Sequence, residues 1–445
     1  MSPRGFIAFL VMVLTFAGCG VATMTGAGVL PAPGAVTDQV HSALPPPQRL
    51  FPGGLRTGRP AGMRVARPVA VADGETAVEP TASSRMGDPA LRVGPAMPAP
   101  AGPAWPVVEN PPAAVAPGPV NIYSYTLTPH LSPAVANVPL RVYVPNSDAA
   151  SVSVIDPTTM KVVDRFSVGI RPHHVTPSWD LTKLYVNNTE GNTLTEIDPM
   201  TGRPTRNIPI TDPYNLYFTP DGTKAIVVAE RYQRLDFYNP ADWSFIKSVG
   251  VPWAGVDHAD FTADGRYFIA SCEFSGQVVK VDTEAMEVVA RVNVGALPID
   301  VKLSPDGTVL YVANQGRHGV SLVDPETMTE IGFLPTGLGA HGLNVSRDAA
   351  TLFVSNRMEG TISVIDFASR SVRQTWRVGG SPDMIQVSAD GTQLWTSNRF
   401  HGSVSVIDTT NGRLIATIPT GAGAHGVSLF PQPGRYNTGH NGVYR

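Results

Sequence analysis

A tetrapeptide recurs along the chain at an almost constant spacing. Its copies are Tyr143-Val-Pro-Asn146, Tyr185-Val-Asn-Asn188, Ile226-Val-Val-Ala229, Ile269-Ala-Ser-Cys272, Tyr311-Val-Ala-Asn314, Phe353-Val-Ser-Asn356 and Trp395-Thr-Ser-Asn398, at intervals of 42, 41, 43, 42, 42 and 42 residues. Ten residues after each copy stands an acid or its amide: Asp156, Asp198, Asn239, Asp282, Asp324, Asp366 and Asp408. A third column, Asp180, Asp221, Asp264, Asp306, Asp348 and Asp390, falls between repeats, and Gly follows at four of the six. Such Asp-Gly pairs make tight hairpin turns. A period near 42 that holds about four short strands is the pattern of a β-propeller blade. The fold class predicted is therefore all-β, a seven-bladed propeller.

One repeat reads cleanly. Pro298 to Ser304 alternates as strand a, Asp306-Gly307 turns, and Val309 to Asn314 is strand b. Gly319 to Val323 is strand c, Asp324-Pro325 turns, and Thr329 to Leu334 is strand d. No full strand a of this type precedes Tyr143, whereas a surplus one, Ala424 to Phe430, follows the seventh copy. The counts match only if the C-terminal strand joins the N-terminal blade, which closes the ring and removes an open edge.

The anchor Tyr311-Val-Ala-Asn314 and the following Val-Ser-Leu-Val-Asp324 resemble the YVTN-repeat family, the secreted YncE-like seven-bladed propellers, over about residues 138–432. The resemblance implies an extracytoplasmic location and binding roles, some toward nucleic acid or other proteins. Distant relatives include lactonases and haem-carrying nitrite reductases. Repeats three and four depart from the pattern, with Ala229 and Cys272 in place of Asn and Asn239 in place of Asp.

Ahead of the repeats the composition changes. Residues 1–135 hold 22 of the 42 prolines, and the first lysine is Lys161. Arg4 precedes an apolar run from Gly5 to Gly18, too short to span a bilayer and right for a signal-peptide core. The run ends Phe16-Ala17-Gly18-Cys19, which resembles a bacterial lipobox whose cysteine is acylated, with Phe16 in place of the usual Leu. The organisation predicted is a signal peptide over 1–18 with Cys19 lipidated, a disordered Pro/Ala/Gly-rich tether over 19–135, the propeller over 136–432 and a tail over 433–445. The tether carries no hydrophobic period with which to bury a core. With Cys19 acylated, Cys272 is left as a buried thiol. The expected location is a membrane-anchored lipoprotein facing the periplasm or the cell exterior.

Two cysteines exclude a disulfide framework, an iron–sulfur cluster and a CxxCH haem attachment. The segments 337–342 and 421–426 match GxGxxG but lead into strands, so they are turns rather than dinucleotide sites.

In a propeller the d–a and b–c loops share one face of the disc, and the histidines gather there. His318 and His401 lie in b–c loops; His173, His174, His258, His341 and His425 start strands a, beside the channel. One position of the d–a column reads His173, Tyr214, Asp257, Ile299, His341, Asp383 and His425. Ring closure makes His341, Asp383, His425 and His173 successive, a donor set suited to Zn, Cu or Fe at the channel mouth. His174 and His258 stand one position further on.

Arg171, Arg231, Arg317, Arg357 and Arg399 share the face with Glu190, Glu230, Glu273 and Glu359, among Tyr214, Tyr232, Trp253, Phe274 and Phe400. The candidate ligand-binding face is His173, His174, Tyr214, Asp257, His258, Arg317, His318, Arg357, Arg399 and His401. Mixed charge suits a protein or small polar ligand better than a nucleic-acid backbone, which wants unbalanced positive charge. The function expected is a binding scaffold held at the bacterial cell envelope through a lipid anchor. The alternatives are a metal-dependent redox or hydrolytic enzyme with a His-lined site, and a lactonase-like hydrolase.

Overall fold

A computed structural model describes residues 121–127 and 131–445, all within the unit Gly102–Arg445. The segments expected as signal peptide, with Cys19, and as tether as far as residue 120 lie outside the described residues. The rest forms seven four-stranded antiparallel sheets. Blade 1 pairs Ser428–Phe430 (a) with Arg141–Asn146 (b), Ser151–Asp156 (c) and Lys161–Ser167 (d). The strands a of blades 2 to 7 are Pro172–Pro177, Asn215–Phe218, Val256–Phe261, Pro298–Leu303, Ala340–Val345 and Pro382–Val387.

The predicted closure is present. Arg141, Val142 and Tyr143 pair with Phe430, Leu429 and Ser428. Seven apolar clusters fill the seven gaps between neighbouring blades. One of them joins Trp395, Val404 and Val406 of blade 7 to Val142, Val144 and Leu429 of blade 1, so the last gap is packed like the others.

The repeated Asn has a structural role. Asn356 Nδ2 donates to Thr361 Oγ1 and Ser363 Oγ, both at 3.0 Å, and its Oδ1 accepts from Gly337 N at 3.1 Å. Asn146 and Asn398 repeat the arrangement, joining strands b and c to the preceding d–a loop.

Strand a is the inner edge of each blade, so its outward backbone groups need partners other than a ladder. Side chains of the previous blade supply several. Asp260 Oδ2 accepts from Leu303 N at 2.9 Å, Asp300 Oδ2 from Leu343 N at 2.8 Å, and Asn344 Oδ1 from Val387 N at 3.1 Å. Blade 3 is served by the chain's C-terminal residues instead. Phe218 N donates to Thr438 O and His440 N to Leu216 O, so 438–440 run antiparallel along its strand a.

Residues 433–445, expected as a tail beyond the propeller, thus fold into its channel. They form a hairpin in which Asn437 pairs with Tyr444 and Thr438 N bonds Val443 O. At its tip Gly439 has φ +132°, and a Cβ there would stand 2.5 Å from the Tyr217 Cα, so only glycine fits. Residues 121–127, placed in the tether by sequence, also pack on the blades. Tyr123 is buried, and its hydroxyl donates to Leu303 O at 2.9 Å.

Candidate functional site

The histidines do gather at one end of the channel. His173, His174, His258, His341 and His425 are all buried there. Two consecutive histidines, 173 and 174, both contribute because strand a is bulged. Pro172 pairs with Asn188 and Val175 with Val186, so three steps on one strand match two on the other. The same shift occurs in blades 4, 5, 6 and 7. A bulge breaks strict alternation and re-aims side chains, so His174 and His258 face the channel cluster as well as the column beside them.

The expected four-residue arc divides into two parts. His341 Nδ1 lies 2.9 Å from Asp383 Oδ1. Arg357 Nη2 donates to Asp383 Oδ1 at 2.7 Å and also contacts His341 Nε2. A guanidinium therefore holds the donor atoms that a metal would need. Arg357 also reaches Gln315 Oε1 at 3.2 Å, and Arg399 Nη1 stands 3.9 Å from Asp383 Oδ2. These two cations hold the Asp383 carboxyl below the usual range despite its burial. Burial, with Arg357 beside it, lowers His341 to about 3.

On the other side His173 Nδ1 shares a hydrogen bond with Thr189 Oγ1 at 2.7 Å, and the His173 and His425 ring centroids are 4.8 Å apart. The space beside Gly342 and Gly426 is already filled. A Cβ on Gly342 would stand 2.5 Å from Asp383 O, and one on Gly426 would stand 2.6 Å from Asn441 Oδ1.

A different set converges. Among the described residues, one ligand atom from each of His174, His258 and His440 lies within 4.8 Å of the others, and all three residues are buried. Asn441 links two of them, with Oδ1 at 3.0 Å from His174 Nδ1 and Nδ2 at 3.2 Å from His440 Nε2. His440 Nδ1 is 3.3 Å from Asn215 Oδ1, and His258 Nδ1 is 2.6 Å from Asp257 Oδ1. Desolvation lowers His174, His258 and His440, His258 to about 4, and leaves them neutral. It raises Asp257 well above the ordinary carboxylate range, although a hydrogen bond from Tyr214 opposes this. Sequence reasoning misses His440 and Asn441 because they follow the last repeat, where no periodic column reaches. The available signal was a histidine and an asparagine between two glycines, Gly439-His-Asn-Gly442.

The rim of this face carries the remaining predicted residues. His318 Nδ1 accepts from Gly339 N at 3.2 Å and His401 Nδ1 meets Ser381 Oγ at 3.0 Å, so both brace loops. Arg317 pairs with Glu330 at 2.6 Å, and Arg171 pairs with Asp148 and Glu190 at 3.1 and 3.3 Å. Between these ion pairs large apolar side chains face solvent: Ile170, Tyr232, Phe274, Leu338, Met358 and Phe400 are 48–69% exposed. A cavity of about 990 Å³ lies on the opposite, a–b turn face, against Trp179, Lys183, Glu196, Arg206 and Tyr436, away from the histidines.

The YNCE-like beta-propeller family model matches residues 114–434. The chain belongs to that family. No curated protein matches this YNCE-like propeller by sequence. Solved structures share its fold at low identity. A hydrazine synthase chain of Kuenenia stuttgartiensis is 18% identical with a TM-score of 0.52, over 57% of this chain and 88% of that one. A functionally unknown protein of Desulfotomaculum acetoxidans is 17% identical with a TM-score of 0.57, over 66% and 99%. A putative 6-phosphogluconolactonase of Bacteroides uniformis is 15% identical with a TM-score of 0.55, over 65% and 99%.

Proposed function

We propose that this YNCE-like propeller is an exported, lipid-anchored scaffold of the bacterial cell envelope, which binds a protein partner through the face of d–a and b–c loops. The observation that carries this reading is the ring of exposed apolar side chains on that face, Ile170, Tyr232, Phe274, Leu338, Met358 and Phe400. Exposed apolar groups set among paired charges have the make-up of a protein interface, where apolar anchors supply binding energy and ionic groups set register. Arg171, Arg231 and Arg317 each face a carboxylate, so the face lacks the free positive charge that a nucleic-acid backbone would require. The signal-peptide core and Cys19 support export and anchoring.

The test is affinity capture from the organism's own envelope extract with three baits of equal folded content. These are the wild type, a Phe274→Ser/Met358→Ser/Phe400→Ser variant, and a Phe245→Ser/Ile246→Ser control on an outer strand. A protein retained by the wild type and the control but lost by the triple variant supports the reading. Equal retention by all three overturns it.

A further inference from the structure

We infer that His174, His258 and His440 form a transition-metal site inside the channel, with the third ligand delivered by the C-terminal hairpin. The inference is independent of the partner-binding face.

The first support is orientation. A histidine ligates through a ring nitrogen whose lone pair is free, and the hydrogen bond at the other nitrogen decides which one that is. The Nδ1 atoms of His174 and His440 hydrogen-bond to amide oxygens, Asn441 Oδ1 at 3.0 Å and Asn215 Oδ1 at 3.3 Å, whereas His258 Nδ1 stands 2.6 Å from Asp257 Oδ1 without making a hydrogen bond to it. An amide oxygen only accepts. His174 and His440 are thereby assigned as Nδ1–H tautomers; the Nε2 lone pair of His174 is free to ligate, and that of His440 would exchange the Asn441 amide for an ion. The amide orientations agree with this. Asn441 Nδ2 points to His440 Nε2, and Asn215 Nδ2 points to Asp257 O at 3.5 Å. Carboxylate and amide oxygens behind metal-bound imidazoles are the usual outer support of such sites.

The second support is the lack of partners where the lone pairs are free. His174 Nε2 and His258 Nε2 are buried with no hydrogen-bond partner among the described residues. A buried polar atom left so is costly, and two lie in one cluster. A cation satisfies both at once.

The third support is size. The rings of His174, His258 and His440 stand 4.5–5.2 Å apart by centroid. Their spacing suits an ion and excludes a larger ligand. Metal–nitrogen bonds near 2.0–2.1 Å bring tetrahedral ligands to about 3.3 Å from one another, so the donors, now within 4.8 Å, close by small ring rotations. An all-imidazole set suits Zn²⁺ or Cu²⁺. Three protein ligands leave a fourth position, beside which stands His425, its ring centroid 4.8 Å from that of His174.

Two ligands sit on blades and one on the hairpin, so an ion would pin the hairpin to blades 2 and 4. The test uses untagged, chelator-treated full-length protein titrated with Zn²⁺ and, separately, Cu²⁺. The expected result is one ion per chain, a raised thermal midpoint, and a Cu²⁺ electron paramagnetic resonance spectrum with nitrogen superhyperfine structure. His440→Gln should bind at least tenfold more weakly while keeping the metal-free midpoint, and His401→Gln should bind as wild type. Should His440→Gln fail to fold, the Cu²⁺ spectrum of the wild type still decides. Non-saturable binding, an oxygen-dominated spectrum, or equal affinity in His440→Gln and wild type overturns the inference.

Discussion

Arg445 Nη2 donates to Asp260 Oδ1 at 2.6 Å inside the channel, with side chains 8% and 0% exposed. The same carboxylate accepts from Leu303 N, and the guanidinium lies over the Tyr123 ring at 4.5 Å. One ion pair therefore ties the hairpin, blades 4 and 5 and the segment 121–127 together. Removing one member of a buried pair leaves an uncompensated charge, at a cost of about 3–5 kcal/mol. Arg445→Met should lower the urea unfolding free energy by that amount. A loss under about 1 kcal/mol would mean that water reaches Asp260.

Ring closure and channel filling are separable. Deleting 433–445 removes the hairpin but keeps the closing strand Ser428–Phe430. Deleting 424–445 also strips the inner edge of blade 1 and exposes the core shared by blades 7 and 1. The shorter deletion should give a less stable monomer, and the longer one an aggregating species by size-exclusion chromatography. A monomeric, cooperatively folding 1–423 chain would contradict closure as the source of ring integrity.

Asn356→Ala should cost about 2–4 kcal/mol in thermal or urea denaturation. It strands the buried Thr361 and Ser363 hydroxyls and frees the Gly337 N–H, and each lost bond to a buried group costs about 1–3 kcal/mol. Asn356→Asp should recover part of the loss, because the Thr361 and Ser363 hydroxyls can turn to donate to a carboxylate, offset by the cost of burying its charge.

The apolar core from Gly5 to Gly18 ending at Cys19 predicts acylation and membrane retention. Cys19→Ser should move the protein from the membrane to the soluble fraction on cell fractionation. Retention equal to the wild type would remove the lipid anchor from the proposed function.

Blade number, strand order and closure were legible because each rests on a periodic column: the anchors, the turn acids and the surplus strand at 424–430. The partners of four anchor asparagines, Asn146, Asn188, Asn356 and Asn398, were periodic too, at Ser or Thr five and seven residues on; Asn314 has Gly319 five residues on and donates to Val294 O and Gly295 O instead. Convergence at the channel was not legible for two physical reasons. A one-residue bulge in strand a cancels the alternation by which His173 and His174 would be assigned to opposite sides. The residues that complete the cluster, His440 and Asn441, belong to a hairpin outside the repeat, so no column predicts where they fold.

The buried imidazoles should make the metal-free protein sensitive to mild acid. Burial lowers His174, His258, His341, His425 and His440 in the folded state, His258 to about 4 and His341 to about 3, whereas in the unfolded chain they titrate near 6.5. Between those values the unfolded chain binds protons that the folded one does not. The neutral histidines' contribution is thus fully present above pH 6.5 and is lost as pH falls toward 4. Each such group costs on the order of 1 kcal/mol per pH unit in that window. The turn carboxylates act later. Backbone hydrogen bonds depress Asp282 and Asp324, whose contribution holds above the unfolded carboxylate value near 4 and disappears only below it. Urea midpoints of chelator-treated protein at pH 7.5, 6.5, 5.5 and 4.5 should therefore be level between the first two and fall steeply through the last two. His258→Gln should flatten that fall whatever it does to stability at pH 7.5. A level profile down to pH 4.5 would mean that the imidazoles protonate in place, with water reaching the channel.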